Sequence, residues 1–108
     1  MTGFDDREKA EESKFAHQEE LKFKAEARRN KLLGKWAAGL MGITGEDADA
    51  YITSVIKADF QEAGDEDVFR KIRADFDAKN IDQSDHQIRR TMDELMVIAV
   101  EQIEKEAS

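Results

Sequence analysis

Apolar residues recur at helical spacing along most of the chain, and this pattern predicts four helices. The first runs from Leu21 to a stop before Gly45. The second opens at Thr44, which Asp47 follows at a spacing typical of a helix N-cap. The apolar positions of the first helix are Leu21, Phe23, Ala27, Leu32, Leu33, Trp36, Ala37, Leu40 and Met41. Those of the second helix are Ala48, Tyr51, Ile52, Val55, Ile56 and Phe60.

Turn and capping residues delimit the two helices that follow. Gly64 is a natural stop for the second helix, Asp65 is predicted to cap the third, and Asn80 can end the third in the left-handed conformation. Ser84 and Gln87 have the spacing of a capping box at the start of the fourth. The apolar face of the third helix is Val68, Phe69, Ile72 and Phe76. The fourth helix has a continuous stripe of Ile88, Met92, Leu95, Met96, Ala99, Val100 and Ile103.

These elements predict an all-α fold. Four amphipathic helices with short links and no strand pattern can bury their apolar faces together in a small antiparallel four-helix bundle, which residues 21–108 would form. Trp36 falls within the stripe of the first helix, so we expect it to pack in the bundle rather than to contact a ligand.

The segment 1–20 differs from the rest of the chain. Besides the initiator Met, its large apolar residues are Phe4 and Phe15, too few to offset the entropy of ordering the segment. We therefore expect a flexible or extended N-terminal segment that is disordered or only conditionally helical. The two rings would lie about 20° apart on a helical projection, which suits docking in a partner's groove. The alternative is a fraying tail.

Composition narrows the function classes. The 108 residues have a net charge of −8 and 39% of them are charged, which favours one small domain with a strongly polar surface. None of them is Cys, which excludes disulfides and thiolate zinc sites. No run is apolar and long enough to span a bilayer, so we expect a soluble protein without direct membrane insertion. No glycine-rich phosphate loop occurs. His86 with Asp82 and Asp85 is interpreted as a solvated helix start rather than a metal site, and an enzyme is the least expected class.

Basic side chains are concentrated within residues 21–35, between two acidic regions. We call this set the basic belt: Lys22, Lys24, Arg28, Arg29, Lys31 and Lys35. A sequence pI of about 4.8 disfavours nucleic acid as its partner, because the rest of the chain would repel phosphates. Two interpretations remain open: a face that is solvated or paired with acidic helices of the same bundle, and a surface that docks on an acidic protein partner.

A family resemblance covers essentially the whole chain. The stretches that carry it are Phe4–Ala10, Lys14–His17, Phe23–Gly34, Trp36–Ala38, Lys57–Phe60, Gly64–Val68, Arg73–Asp75 and Ser84–Arg90. In this order they closely resemble the zeta-subunit inhibitor family of alphaproteobacterial ATP synthases. Several long matches in the same order make the resemblance specific.

The resemblance implies a function. It implies a four-helix protein that binds the catalytic head of the rotary ATP synthase, built from alpha, beta and gamma subunits, and that blocks ATP hydrolysis by inserting its N-terminal helix at a catalytic subunit interface. The residues implied to act there are Phe4, Asp5, Asp6, Arg7, Glu8, Lys9, Lys14, Phe15 and His17. The belt residues Lys22, Lys24, Arg28, Arg29 and Lys31 would then be a docking surface for the acidic exterior of the ATPase.

Other expectations follow from the same resemblance. No cofactor is required, although the family is associated with weak ATP and ADP binding. The alternative function is therefore a small helical module that binds or senses adenine nucleotide without inhibiting the ATPase. We expect a cytoplasmic protein, peripheral to the membrane-bound ATP synthase and monomeric when free.

One departure from the family pattern concerns the inhibitory segment. The pattern has an apolar residue, often Phe, between Ala10 and Lys14, whereas this chain reads Glu11-Glu12-Ser13. A Phe at position 11 would lie seven residues after Phe4 and four before Phe15, and it would complete a heptad-like apolar stripe.

Overall fold

Four α-helices make up the part of the chain that the structure describes. The structure is a computed structural model that describes residues 3–58 and 65–107, with side chains for 19–58 and 65–106. The helices are α1 (Gly3–Met41), α2 (Gly45–Ala58), α3 (Glu66–Lys79) and α4 (Asp85–Ala107), and no strand occurs within these ranges. The all-α prediction is thus confirmed. Phe60 and Gly64, which the sequence placed at the end of the second helix, lie outside the described residues.

The helices alternate in direction around α1. Helix α2 runs antiparallel to α1, because Gly34 faces Ile52 whereas Ile56 lies beside the earlier Ala27. Helix α4 begins beside Arg73 of α3 and ends beside Arg28 of α1, so it also runs antiparallel to α1. Arg29 and Trp36 contact Asp65 and Phe76 in the same order along the chain, so α3 runs parallel to α1. This is the up-and-down arrangement that short links between helices impose.

The core lies where the second half of α1 meets the other three helices. Its fully or nearly buried members are Leu33, Ala37, Val55, Val68, Phe69, Ile72, Phe76, Ile88 and Met92. All nine were predicted on the apolar stripes of these helices. Trp36 packs edge-on against Phe76, with ring centroids 5.4 Å apart. The prediction that Trp36 is a packing residue is confirmed.

Glycines allow a close helix contact and a tight turn on α1. A Cβ built on Gly34 would lie 3.0 Å from the Cα of Ile52, so α1 and α2 are closer here than most side chains allow. After α1 ends, Gly42 adopts a φ of +73°, and the amide of Ile43 donates to the carbonyl of Ala38 at 2.9 Å. A left-handed residue with this backbone bond is a Schellman ending, which returns the chain toward α2.

The link between α3 and α4 forms as the sequence predicts. Asn80 is left-handed, with a φ of 57°, and ends α3. The backbone amide of Gln87 donates to Ser84 Oγ at 3.1 Å, and the amide of Ser84 donates to Gln87 Oε1 at 2.8 Å, which completes the capping box. Arg73 holds the link from α3, because its guanidinium donates to the carbonyl of Gln83 at 2.6 Å and to Asp85 at 3.1 Å.

Three details of the sequence prediction are wrong. Asp65 occupies the N-cap position of α3, but its side chain makes no capping hydrogen bond because it pairs with Arg29 instead. Phe23 and Leu40, predicted on the buried stripe of α1, are 62% and 40% exposed. Both lie near the limits of the helix packing, where the neighbouring helices no longer cover every side of α1.

Candidate interaction surfaces on α1

The residues implied to inhibit the ATPase all lie in the N-terminal part of α1. Helix α1 continues without a break from Gly3 into the bundle, so the segment is an extension of a bundle helix and not a domain on a linker. The side chains of these residues lie outside the described residues. They are Phe4, Asp5, Asp6, Arg7, Glu8, Lys9, Lys14, Phe15 and His17.

Among the described side chains of α1, burial by the bundle begins at about residue 25. Ala25 is 2% exposed, whereas Lys22, Phe23 and Lys24 before it are exposed. Helix α4 ends at Ala107, and its Glu106 lies 2.8 Å from Arg28, so the first part of α1 extends past the end of α4. A helix of 39 residues is about 58 Å long, which agrees with overall dimensions of 66 × 25 × 22 Å.

The basic belt divides into internal and external members. The side chain of Arg29 is only 2% exposed, and its guanidinium donates to Asp65 Oδ1 at 2.9 Å and to Asn30 Oδ1 at 3.0 Å. Of the two interpretations of the belt, pairing within the bundle therefore holds for Arg29, and its implied role in docking is corrected. Arg29 joins α1 to the start of α3 inside the bundle. The physical reason is that a buried guanidinium needs a carboxylate and hydrogen-bond acceptors around it, and α3 supplies the carboxylate.

Arg28 and Lys24 are also paired within the chain. Arg28 donates to Gln102 Oε1 at 2.9 Å and lies 2.8 Å from the Glu106 carboxylate, and Lys24 lies 3.2 Å from Glu20 one turn earlier. Pairing with the same bundle, one of the two interpretations of the belt, thus holds for both arginines. Lys22, Lys31 and Lys35 are exposed on α1. Docking through the belt stays a prediction for its exposed members.

An open groove of about 450 Å³ lies beside these residues, at the end of the bundle from which α1 extends. We call it the belt groove. It is lined by Phe23, Lys24, Ala27, Arg28, Lys31, Ile56, Ile103 and Glu106. Sequence reasoning missed this site because it assigned Phe23 to the buried stripe. The sequence did contain a sign that Phe23 is exposed, because it stands between Lys22 and Lys24 of the belt.

Polar side chains elsewhere form stabilising pairs between the helices. The guanidinium of Arg89 lies 4.0 Å from the ring centroid of Phe69 and donates to Glu66 at 3.0 Å. This hydrogen bond, and then the charge of Arg89, hold the pKa of the Glu66 carboxyl below its ordinary value. Arg89 thus stacks on Phe69 of α3 and pairs with Glu66 of the same helix.

Tyr51 and Asp75 form a second polar contact between helices. The Tyr51 hydroxyl donates to Asp75 Oδ2 at 2.7 Å, and the ammonium of Lys71 lies 3.1 Å from the same carboxylate and 5.1 Å from the tyrosine ring. Burial, and then the hydrogen bond and negative charge of Asp75, raise the pKa of the Tyr51 phenol well above its ordinary value. The phenol therefore remains a hydrogen-bond donor at neutral pH.

Two kinds of feature are absent from the residues that the structure describes. Among residues 3–58 and 65–107, no helix combines the length and apolarity needed to cross a bilayer. The same part of the chain holds no group of three or more His, Cys, Asp or Glu side chains placed to share a metal ion.

The fold and its surfaces define a small helical interaction protein, with a four-helix body and a first helix that extends beyond it. The chain belongs to the family of ATPase inhibitor subunit zeta, whose family model matches residues 1–102. A protein solved by solution NMR is similar over 80% of this chain and 98% of its own, with 46% sequence identity and a TM-score of 0.70. A search of curated proteins gives no match.

Family membership confirms the resemblance seen in the sequence. It assigns the chain an inhibitor role at the level of the family and indicates a regulatory protein that binds ATP synthase rather than a catalyst.

Proposed function

We propose that this protein inhibits ATP hydrolysis by the catalytic head of the rotary ATP synthase, and that the N-terminal part of α1 inserts at a catalytic subunit interface. The observation that supports this most is the extension of α1 past the end of α4 in a chain of an inhibitor family. The protein would act in the cytoplasm, peripheral to the membrane-bound enzyme and as a monomer.

Inhibition in this proposal is mechanical. A rotary ATPase opens and closes its catalytic interfaces on every turn, and a helix bound in one interface stabilises a single state of that cycle. Only the difference in affinity between that state and the others inhibits, because a ligand that binds all states equally shifts none of them. The reaction products then cannot leave the catalytic site, and hydrolysis stops.

The segment's residues divide by chemistry. Phe4 and Phe15 would supply apolar contact, with about 1.5–3 kcal/mol for each ring fully buried in the interface. Arg7 and its acidic neighbours Asp5 and Asp6 would fix the register against charged groups of the catalytic subunits. The body would limit the depth of insertion, because three further helices surround α1 from about residue 25 onward.

The low apolar content of the segment fits a helix that becomes firmly ordered at its partner. A polar helix without packing is marginal in water, so its ordering entropy would be offset at the interface. Continuity with the bundle part of α1 reduces that cost, because the helix already has a nucleus and needs only to be extended.

Removal of residues 1–19 tests the proposal. The truncated protein is assayed for inhibition of ATP hydrolysis by the isolated catalytic head, while circular dichroism and thermal melting confirm that it is folded. We expect loss of inhibition with little change in melting temperature.

The double variant Phe4→Ala, Phe15→Ala in the full chain is the matched control for loss of the rings alone. It is expected to weaken inhibition without lowering the melting temperature. Full inhibition by the truncated, folded protein would reject the insertion mechanism.

The alternative function, adenine-nucleotide sensing without ATPase inhibition, predicts a different result. ATP added to isotope-labelled protein would shift a localised set of amide signals, and the protein would leave hydrolysis by the catalytic head unchanged. Inhibition of the head by the full chain separates the two functions.

A further inference from the structure

We propose that the belt groove is a second contact with the catalytic head and that it takes an acidic surface segment carrying one exposed apolar side chain. This inference rests on the proposed function, because it names where the body of the inhibitor meets the same partner. It adds a docking surface outside the N-terminal segment.

The groove offers an apolar floor that the fold leaves uncovered. Phe23 is 62% exposed, although a phenyl ring of this size is normally buried. Ile56 from α2 and Ile103 from α4 line the same groove, so the exposed ring belongs to a shared concave surface built by three helices. Aromatic and aliphatic side chains in a pocket of this kind are typical anchors of protein interfaces.

The charges of the groove select an acidic occupant. Lys24, Arg28 and Lys31 line it, and the opposing acid is Glu106. This local excess of positive charge occurs in a chain whose net charge is −8. Nucleic acid is disfavoured because its phosphates would be repelled by the acidic remainder, whereas a short acidic protein segment need contact only the groove.

The basic side chains of the groove differ in whether they already pair with groups of this chain. Arg28 is held by Gln102 and Glu106, so it forms a fixed part of the wall. Lys31 is exposed and has no carboxylate within pairing distance among the described side chains, and its ammonium can pair with a carboxylate of the occupant. Lys31 is therefore the residue of the groove whose charge is most available to a partner.

The position of the groove ties it to the proposed inhibitory segment. Phe23 lies on α1 eight residues after Phe15, which is about 12 Å along a continuous helix. A partner that holds the N-terminal part of α1 is thus brought next to the groove without rearrangement of the body. Two contacts on one continuous helix favour each other, since the first binding event raises the effective concentration for the second.

Matched variants of the full chain test this surface. Phe23→Ala and Lys31→Glu remove the apolar and the basic element of the groove. As controls, Val97→Ala truncates an exposed apolar side chain of α4, and Lys79→Glu makes the same charge reversal at an exposed position of α3. The measurement is the protein concentration that gives half-maximal inhibition of the isolated catalytic head. We expect each groove variant to raise it about tenfold, and each control to change it less than about twofold. Unchanged values for both groove variants would overturn the proposal.

A photo-crosslinking residue at position 23 identifies the occupant. Benzoylphenylalanine in place of Phe23 is expected to crosslink the full chain to an acidic segment of a subunit of the head, which mass spectrometry locates. Crosslinks to this chain's own residues, to a second copy, or to no part of the head would overturn the proposal. The proposed function fails separately, if the wild-type chain does not inhibit the head at any concentration.

Discussion

The guanidinium of Arg29 is buried in α1 and donates to Asp65 Oδ1 at 2.9 Å, across 36 positions of the chain. Asp65 is the residue before α3, and its side chain is 53% exposed. The pair joins the central helix to the start of the third, and it uses the carboxylate that would otherwise cap α3. A residue of the basic belt is thereby part of the bundle rather than of its exposed surface.

Asp65→Asn is expected to lower the free energy of unfolding by about 2 kcal/mol, because it leaves a buried guanidinium without its counter-charge. The control is Glu94→Gln, which removes the partner of the exposed Arg90 and should cost less than about 0.5 kcal/mol. Urea unfolding followed by the fluorescence of Trp36, the single Trp of the chain, measures both. An equal loss in the free energy of unfolding for the two variants would show that Arg29 does not need the charge of Asp65 to remain buried.

Two glycines of α1 are expected to respond to alanine with opposite signs. Gly34→Ala places a Cβ 3.0 Å from the backbone of Ile52 and should destabilise by about 2 kcal/mol, because α1 and α2 must move apart. Gly39→Ala meets no atom within 4 Å and should stabilise by about 0.5–1 kcal/mol through helix propensity. The same urea measurement compares them. Stabilisation by Gly34→Ala would contradict the close approach of the two helices.

Tyr51 makes stability depend on pH in the alkaline range. Its pKa is raised in the folded protein, so its contribution is fully present below the ordinary value of 10.0 and is lost as the pH rises above it, where the unfolded phenol ionises. Tyr51→Phe should remove that part of the alkaline decline. Since Tyr51 is the single Tyr of the chain, tyrosinate absorbance reports it alone. Ionisation near pH 10.0 without unfolding would contradict the prediction.

Glu11→Phe is expected to strengthen inhibition. On a helical projection, position 11 lies within about 40° of both Phe4 and Phe15, so a third ring would extend the same apolar edge. Burial of that ring at the interface should lower the concentration for half-maximal inhibition about tenfold. Ser13→Phe adds the same ring on the opposite side of the helix and is the matched control. Equal gains from both variants would indicate nonspecific apolar binding.

The bundle was predictable where short-range chemistry decides it. Ser84 and Gln87 form a capping box within one helical turn, and Asn80 ends α3 through its own left-handed conformation, so neither depends on the rest of the fold. The stripe from Ile88 to Ile103 likewise follows from helical periodicity alone. Such features can be predicted without knowing how the helices pack against one another.

The errors came from contacts between distant parts of the chain. Arg29 is buried because Asp65 meets it 36 residues later, and no local spacing marks that pairing. Phe23 is exposed because α4 ends before it covers this side of α1, which periodicity within α1 does not reveal. For the proposed inhibitory segment, the spacing of Phe4 and Phe15 indicated only a docking edge, and the other residues came from the family resemblance. A polar helix without packing partners carries little information about its target.

Amide hydrogen exchange across residues 3–18 tests most directly whether the N-terminal part of α1 is the inhibitory element. The full chain is measured free and bound to the isolated catalytic head, with the amides of buried Leu33 and Phe76 as internal references. We predict fast exchange of residues 3–18 in the free protein and strong protection in the complex, with the references slow in both. Protection of residues 3–18 equal to that of the references without the head, or no added protection on binding it, would contradict the proposed mechanism.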